Sequence, residues 1–214
     1  IVVDSGDCGS IEALCSQYGA RYYFNEFINQ AKQINWALDN IKFQFDWVLR
    51  LDTDEIVGDE LLGELDELAT INKPVVGYID RKMVWMGRML KFSAPRPLYL
   101  GRFWKIGHAR YEEVTEEHLL HSCESVFLRH SFFEYNINNR IDYFVKKHDV
   151  TAAGELMEIL NASTIEKGNI SGKRHQRVRW FKLNVYNKIP RYLAPLIYFM
   201  YRYFFRLGFL DGKA

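Results

Sequence analysis

Cysteine is scarce in this chain. Cys8, Cys15 and Cys123 are the only three in 214 residues. They are odd in number and lack metal-ligand spacing, which argues against a disulfide framework and for a reducing compartment. Long apolar runs are missing too. The best candidate, residues 193–205, is apolar except for Arg202 and stops at 13 residues, short of the roughly 20 needed to span a bilayer. A G-x-x-x-x-G-K-[ST] phosphate loop is absent, as are internal repeats and low-complexity segments. No secretory signal is visible, yet the chain opens on Ile1 inside an apolar run, as if a natural start lay earlier. Residues 167–210 hold no Asp or Glu, against ten Lys and Arg.

What is present describes a globular chain. Hydrophobic residues make up 48% and charged residues 26%, which excludes a disordered polymer. The net charge of +1 conceals an asymmetry. Eleven of the 28 basic residues and one of the 27 acidic residues lie from Lys167 onward, leaving residues 1–166 at a net of −9. An acidic body with a basic, aromatic tail suggests two jobs. Two domains are expected, a body over 1–135 and a helical, basic and aromatic extension over 136–214.

Along the body, Ile1-Val2-Val3 reads as a buried strand ending at Asp4. Residues 11–18 fit a short helix stopped by Gly19. Residues 21–24 are β-prone, and 25–40 have helical spacing, with Phe27, Ala31, Ile34 and Leu38 on one face. Residues 45–51 form another apolar strand that runs into Asp52. This β-α-β-α-β alternation predicts a parallel, doubly wound sheet. Asp4 and Asp52 would then lie at carboxyl ends of strands, where open α/β sheets bind ligands. A short amphipathic helix is expected from Asp59 to about Leu68, then strands and turns over 74–103. Helices are expected over 137–160, 173–187 and 191–207.

Asp52-Thr53-Asp54-Glu55 places three acids just past an apolar strand. Such acids repel one another unless a cation is bound, and hard oxygen ligands at a strand end suit Mg²⁺ or Mn²⁺ together with substrate phosphates. The bland alternative is a solvated turn that caps the following helix. A second aspartate at a strand end favours the cation reading.

Three blocks of this sequence resemble family 2 glycosyltransferases: Ile1-Val2-Val3-Asp4-Ser5-Gly6, Gln33-Ile34-Asn35-Trp36-Ala37-Leu38, and Asp46-Trp47-Val48-Leu49-Arg50-Leu51-Asp52-Thr53-Asp54-Glu55. The nearest likeness is to the bacterial branch that builds lipopolysaccharide core or exopolysaccharide, of the heptose β-1,4-glucosyltransferase type. The stretch 201–213 looks like that branch as well. The resemblance implies the GT-A fold, a Rossmann-like, mainly parallel sheet flanked by helices, with a C-terminal helical extension. It implies inverting transfer of a hexose from a UDP-sugar donor to a saccharide or lipid-linked saccharide acceptor. Asp4 would face uracil or ribose, Asp52 and Thr53 would lie near ribose and diphosphate, and Asp54, with Asp52, would hold Mg²⁺ or Mn²⁺. Gln33 and Asn35 match a block lining the donor pocket, although helix packing and capping explain them equally well. The family's earlier strand with its P-x-x-N turn is absent, so a fragment lacking the first strand is expected.

Inverting transfer needs a base. Tyr111-Glu112-Glu113-Val114-Thr115-Glu116-Glu117-His118 is the acidic cluster, and relatives carry an H-E pair near here. By that resemblance Glu117 is the first choice for base and Glu116 the alternative. A solvated acidic turn is the competing reading. His118 reads as a surface residue.

The tail interleaves cations with aromatics, which fits an interfacial helix on an anionic membrane surface or a helical cap or dimer contact. The implied location is cytoplasmic, peripheral to the inner membrane. No nucleic-acid module is recognisable. Two further classes remain open: a catalytically inactive membrane-associated scaffold, and a nucleotidyltransferase, for which a basic phosphate loop would be expected.

Overall fold

The first two strands pair in parallel. β1 (Val2–Asp4) and β2 (Tyr22–Phe24) are joined by α1 (Gly9–Gln17), with Val3 opposite Tyr23. The structure is a computed structural model that describes residues 1–6, 9–71, 73–94, 97–113, 118–135, 140–161, 170–171, 177, 180–181, 184–190 and 192–212.

Beyond β2 the expected parallel, Rossmann-like GT-A sheet is not what forms. The β1–β2 pair is a separate two-stranded sheet. The main sheet comprises β3 (Trp47–Leu49), β4 (Glu55–Ile56), β5 (Val75–Trp85), β6 (Arg88–Met89), β7 (Tyr99–Lys105) and β10 (Glu124–Tyr135). Its order is β3-β7-β5-β10-β4, with β6 paired to β5. Only β5 and β10 run parallel; every other pair in it is antiparallel. The architecture is therefore mixed α/β with a mostly antiparallel sheet curled into a half-barrel. β8 (Ala109–Tyr111) and β9 (Leu119–His121) form a third, antiparallel pair.

The physical reason lies in the connections. Parallel neighbours need a crossover, commonly a helix, whereas antiparallel neighbours need only a turn. Among the described residues the next helix after α3 (Asp59–Ala69) begins at Ile141, so no helical crossover is seen there between the strands. One turn is explicit: Met86 and Gly87, at φ 47° and 73°, join β5 to β6. Two successive positive φ values match the twist of a two-residue hairpin. The curl has its own cause. β3 and β4 are separated in sequence only by residues 50–54, yet they occupy opposite ends of the strand order. The sheet must bend until its two edges are within reach of one turn.

Two cores cover the sheet. α3 presents Leu61, Leu65 and Leu68 at helical spacing to Val75, Ile79, Phe103, Leu128 and Phe132. The other face packs Val76, Trp104 and Tyr111 against Ala31 of α2 (Gln30–Asn40). Neighbouring residues therefore divide between the two cores, Val75 from Val76 and Phe103 from Trp104, as alternation along a strand requires. Asn29 caps α2, its side chain accepting from the Lys32 N–H at 2.8 Å. α4 (Ile141–Asn161) follows β10, and the chain closes on the short helix Ala194–Met200, a π turn over Tyr201–Phe205 and a 3-10 turn over Gly208–Asp211. Among the described residues no helix is long and apolar enough to cross a membrane.

Candidate functional site

The turn after β3 is held from both sides. The Arg50 N–H donates to the Arg102 carbonyl at 2.8 Å, extending the β3–β7 ladder. The Glu55 N–H then donates to the Asp52 carbonyl at 3.0 Å, and the Asp52 N–H donates back to Glu55 Oε2 at 2.9 Å. These reciprocal bonds fix residues 52–55. On the far side, the Tyr135 N–H donates to the Asp54 carbonyl at 2.7 Å, tying the turn to β10.

The mutual repulsion of Asp52 and Glu55 is answered by two arginines. Arg50 Nε lies 3.4 Å from Asp52 Oδ1, and Arg102 Nη2 lies 3.1 Å from Asp52 Oδ2 and 2.5 Å from Glu55 Oε1. The Arg50, Arg102 and Glu55 side chains are only 8%, 4% and 2% exposed. The guanidinium of Arg50 rests 4.5 Å above the Tyr111 ring, and that of Arg102 5.5 Å from the Phe132 ring. Burial pushes the Asp52 carboxyl up, but the charges and hydrogen bonds of Arg102 and Arg50 outweigh it and hold it below the ordinary value. Burial dominates at Glu55 and, with the nearby Asp52 charge, raises its pKa despite Arg102. Two carboxylates share one buried cation, so the better-paired one stays ionised more easily.

Asp54 is different. Among the described residues it makes no ion pair, while both Asp52 oxygens are engaged. Also among them, no group of three or more His, Cys, Asp or Glu is placed to hold a metal. Mg²⁺ is commonly bound by one or two carboxylates together with substrate phosphates and water. A cation arriving with a diphosphate would meet Asp54, and not Asp52, free of an ion pair among the described residues. Among the described residues no cage made by protein alone is present, and Asp52 is chiefly an ion-pair partner.

The other sequence candidates divide into groups. Asp4 ends β1, its carbonyl accepting from the Asn25 N–H at 2.9 Å, while its buried Oδ2 has no hydrogen-bond partner among the described residues. Gln33 Oε1 accepts from Asn25 Nδ2 at 2.6 Å, so Asp4 and Gln33 converge on Asn25. Asn35, 2% exposed, is consumed by packing. Its Nδ2 donates to the Tyr111 carbonyl at 2.9 Å, and its Oδ1 accepts from the Tyr111 N–H at 3.1 Å. It acts as one more strand partner for β8. Thr53 is exposed in the turn. Glu116 and Glu117 lie outside the described residues; on either side of them the Glu112 N–H donates to the His118 carbonyl at 2.9 Å.

These contacts form one line through the molecule. Asn35 holds Tyr111, the Tyr111 ring supports Arg50, and Arg50 pairs with Asp52. Tyr111 Oη also donates to the Gly101 carbonyl at 3.0 Å, next to Arg102. Sequence reasoning missed both arginines. Arg102 left a faint signal, a charged residue inside the apolar strand Tyr99–Lys105. Two shallow depressions lie near the end of α2, lined in part by Leu38 and Ile106, and neither includes Asp4, Asp52 or Asp54.

No known protein family matches this chain. No curated protein matches it either.

Proposed function

We propose that this chain is an inverting glycosyltransferase that moves a hexose from a UDP-sugar to a saccharide acceptor in bacterial lipopolysaccharide or exopolysaccharide biosynthesis. The carrying observation is the contrast inside the turn: Asp52 and Glu55 are paired with Arg50 and Arg102, and Asp54 makes no ion pair among the described residues. The resemblance of the three sequence blocks supports the same reading, which stands on these residues and not on the type of sheet.

The reaction is a single in-line displacement. The acceptor oxygen forms a bond to the anomeric carbon as the bond to the diphosphate oxygen breaks, through an oxocarbenium-like transition state. Glu117, or Glu116, takes the acceptor's hydroxyl proton, an effect worth about 10²–10⁴-fold. Mg²⁺ or Mn²⁺ on Asp54 would stabilise charge on the leaving diphosphate. The Arg50–Asp52–Arg102–Glu55 cluster keeps the turn rigid, so that Asp54 presents its carboxylate without reorganisation. The unpartnered Asp4 Oδ2 suits a donor such as a ribose hydroxyl or the uracil N–H.

UDP binding to the chain by calorimetry, with and without Mn²⁺, tests this. Mn²⁺ is expected to raise the affinity at least about tenfold, equivalent to about 1.4 kcal/mol, and Asp54→Asn is expected to abolish that gain. UDP affinity that ignores Mn²⁺, or a gain that survives Asp54→Asn, would sink the reading. A complete lack of UDP binding would favour the catalytically inactive scaffold, in which locking Asp52 between arginines is purely structural.

A further inference from the structure

The C-terminal segment ends on a built contact. Asp211 Oδ1 accepts from the N–H groups of Lys91 at 2.9 Å and Phe92 at 3.2 Å. Asp211 Oδ2 accepts from Phe92 N–H at 3.0 Å, Ser93 N–H at 2.7 Å and the Ser93 hydroxyl at 2.6 Å. Successive backbone N–H groups cupping an anion form a strong, charge-assisted nest. Neighbouring contacts reinforce it. Arg206 Nη2 donates to the Ala94 carbonyl at 3.4 Å. Gly212, at φ 81°, lies so close to Arg88 that a Cβ would stand 2.6 Å from its Nη1. Residues 206–212 are thus fastened to residues 88–94, beside the β5–β6 hairpin.

The segment leading into this latch keeps its apolar side chains in the open. Tyr192 and Phe205 are each 79% exposed, and Leu196, Tyr198, Phe199 and Phe204 are about half exposed. These positions point around the helical segment and not along one stripe. A surface helix of a globular protein carries a polar face opposite its apolar one, whereas a helix apolar all round needs apolar surroundings. Residues 194–205 measure about 18 Å at 1.5 Å per residue, well below the ~30 Å hydrocarbon thickness. The charge is one-sided: Lys188, Arg202 and Arg206 accompany the aromatics, and 167–210 holds no acid. The one acid that follows, Asp211, is occupied by the nest. α4 adds exposed apolar residues near the same hairpin, with Ile141, Tyr143 and Val145 flanking Phe144, whose ring meets Trp85 at 5.4 Å.

We propose that this latched segment is a docking face for an anionic phospholipid bilayer. It lies within the headgroup layer, with aromatic and aliphatic side chains inserted shallowly and Lys and Arg among the phosphates. A second copy of the same basic segment would be repelled by its like charge, whereas an anionic surface is attracted, so the charge selects the bilayer. Asp211 fixes the angle between this face and the hairpin, so the body approaches the membrane in one orientation. The inference does not depend on glycosyl transfer.

Flotation of the intact chain with phosphatidylglycerol/phosphatidylcholine vesicles, compared with phosphatidylcholine alone, decides it. Binding is expected to the anionic vesicles, to weaken strongly at about 0.5 M salt where screening lengths fall to a few ångströms, and to drop about tenfold or more in Tyr192→Ser/Phe205→Ser. Those two positions are the most exposed in the segment, so the circular dichroism spectrum should not change. Absence of flotation with anionic vesicles overturns the proposal. So does equal binding to both vesicle types, or a solution dimer that the same double substitution dissociates while vesicle binding is unaffected.

Discussion

Replacing Arg102 by methionine should expose how the strand-end turn is held. Methionine keeps much of the apolar bulk against Phe132 but removes the cation. Arg102 is 4% exposed and serves two carboxylates, Asp52 at 3.1 Å and Glu55 at 2.5 Å. Asp52 retains Arg50 at 3.4 Å, so the loss falls chiefly on Glu55, which is 2% exposed and makes no other ion pair among the described residues. Removing one partner of a buried pair costs about 3–5 kcal/mol, chiefly because a buried charge is stranded. That is a large part of the roughly 5–15 kcal/mol available to an ordinary domain. The folded variant can escape by protonating Glu55. Its pKa is already raised by burial above the ordinary 4.5, so the folded state holds this proton where the unfolded chain has lost it. Stability on this account falls as pH rises from the unfolded value through the folded one, and the defect of Arg102→Met should be smaller near about pH 5 than at about pH 7. Urea unfolding followed by circular dichroism at both pH values measures this. Arg102→Met/Glu55→Gln should recover most of the loss at neutral pH, since a neutral amide replaces the stranded charge. A cost below about 1 kcal/mol at neutral pH, or an equal cost in the Glu55→Gln background, would refute the reasoning.

Two other substitutions address the C-terminal latch and the Asn35 clamp. Asp211→Asn keeps the shape but removes the charge from the nest; amide exchange at Lys91, Phe92 and Ser93 should accelerate, with a local loss of about 1–3 kcal/mol. Burial pushes Asp211 up, but the Ser93 hydroxyl and the N–H groups of 91–93 outweigh it and lower its pKa. The latch is therefore fully formed above the unfolded value near 3.8 and is lost as pH falls through the lower folded one. Amide exchange followed down to about pH 3 should show that loss. Asn35→Ala strands the Tyr111 N–H and carbonyl at a 2% exposed position. A cost of about 2–3 kcal/mol, with a changed near-ultraviolet signal from the Trp104–Tyr111 ring pair at 5.9 Å, is expected; an unchanged unfolding midpoint would show that Asn35 is not the clamp described.

Local elements were legible in the sequence where a period or a cap marked them. Leu61, Leu65 and Leu68 marked α3, and the apolar run ending in Asp52 marked β3. The spacing of Ala31, Ile34 and Leu38 marked α2, although the helix begins at Gln30 behind its Asn29 cap and not at 25. Direction was not legible. A three-residue strand such as Trp47–Leu49 reads the same whichever way its neighbour runs. Its partner, Phe103–Lys105, lies some fifty residues along the chain and pairs antiparallel. The β-α-β start is parallel between β1 and β2, but it says nothing about strands joined later by turns.

The same limit governs the acidic turn. Acids at a strand end imply a nearby cation, and sequence spacing cannot distinguish a metal from a guanidinium delivered by a distant strand. Arg102 is such a cation, and only the curl that brings the β3 and β4 edges together places it beside both Asp52 and Glu55. Its presence divides the motif. Two carboxylates become part of the fold, which is why their loss should be read in stability. The third, Asp54, contributes no ion pair to the fold among the described residues. If it is there for function, Asp54→Asn should leave the urea midpoint nearly unchanged while removing Mn²⁺-dependent UDP binding. A large loss of stability from that substitution would return Asp54 to the structural set and leave the turn without a ligand-binding acid.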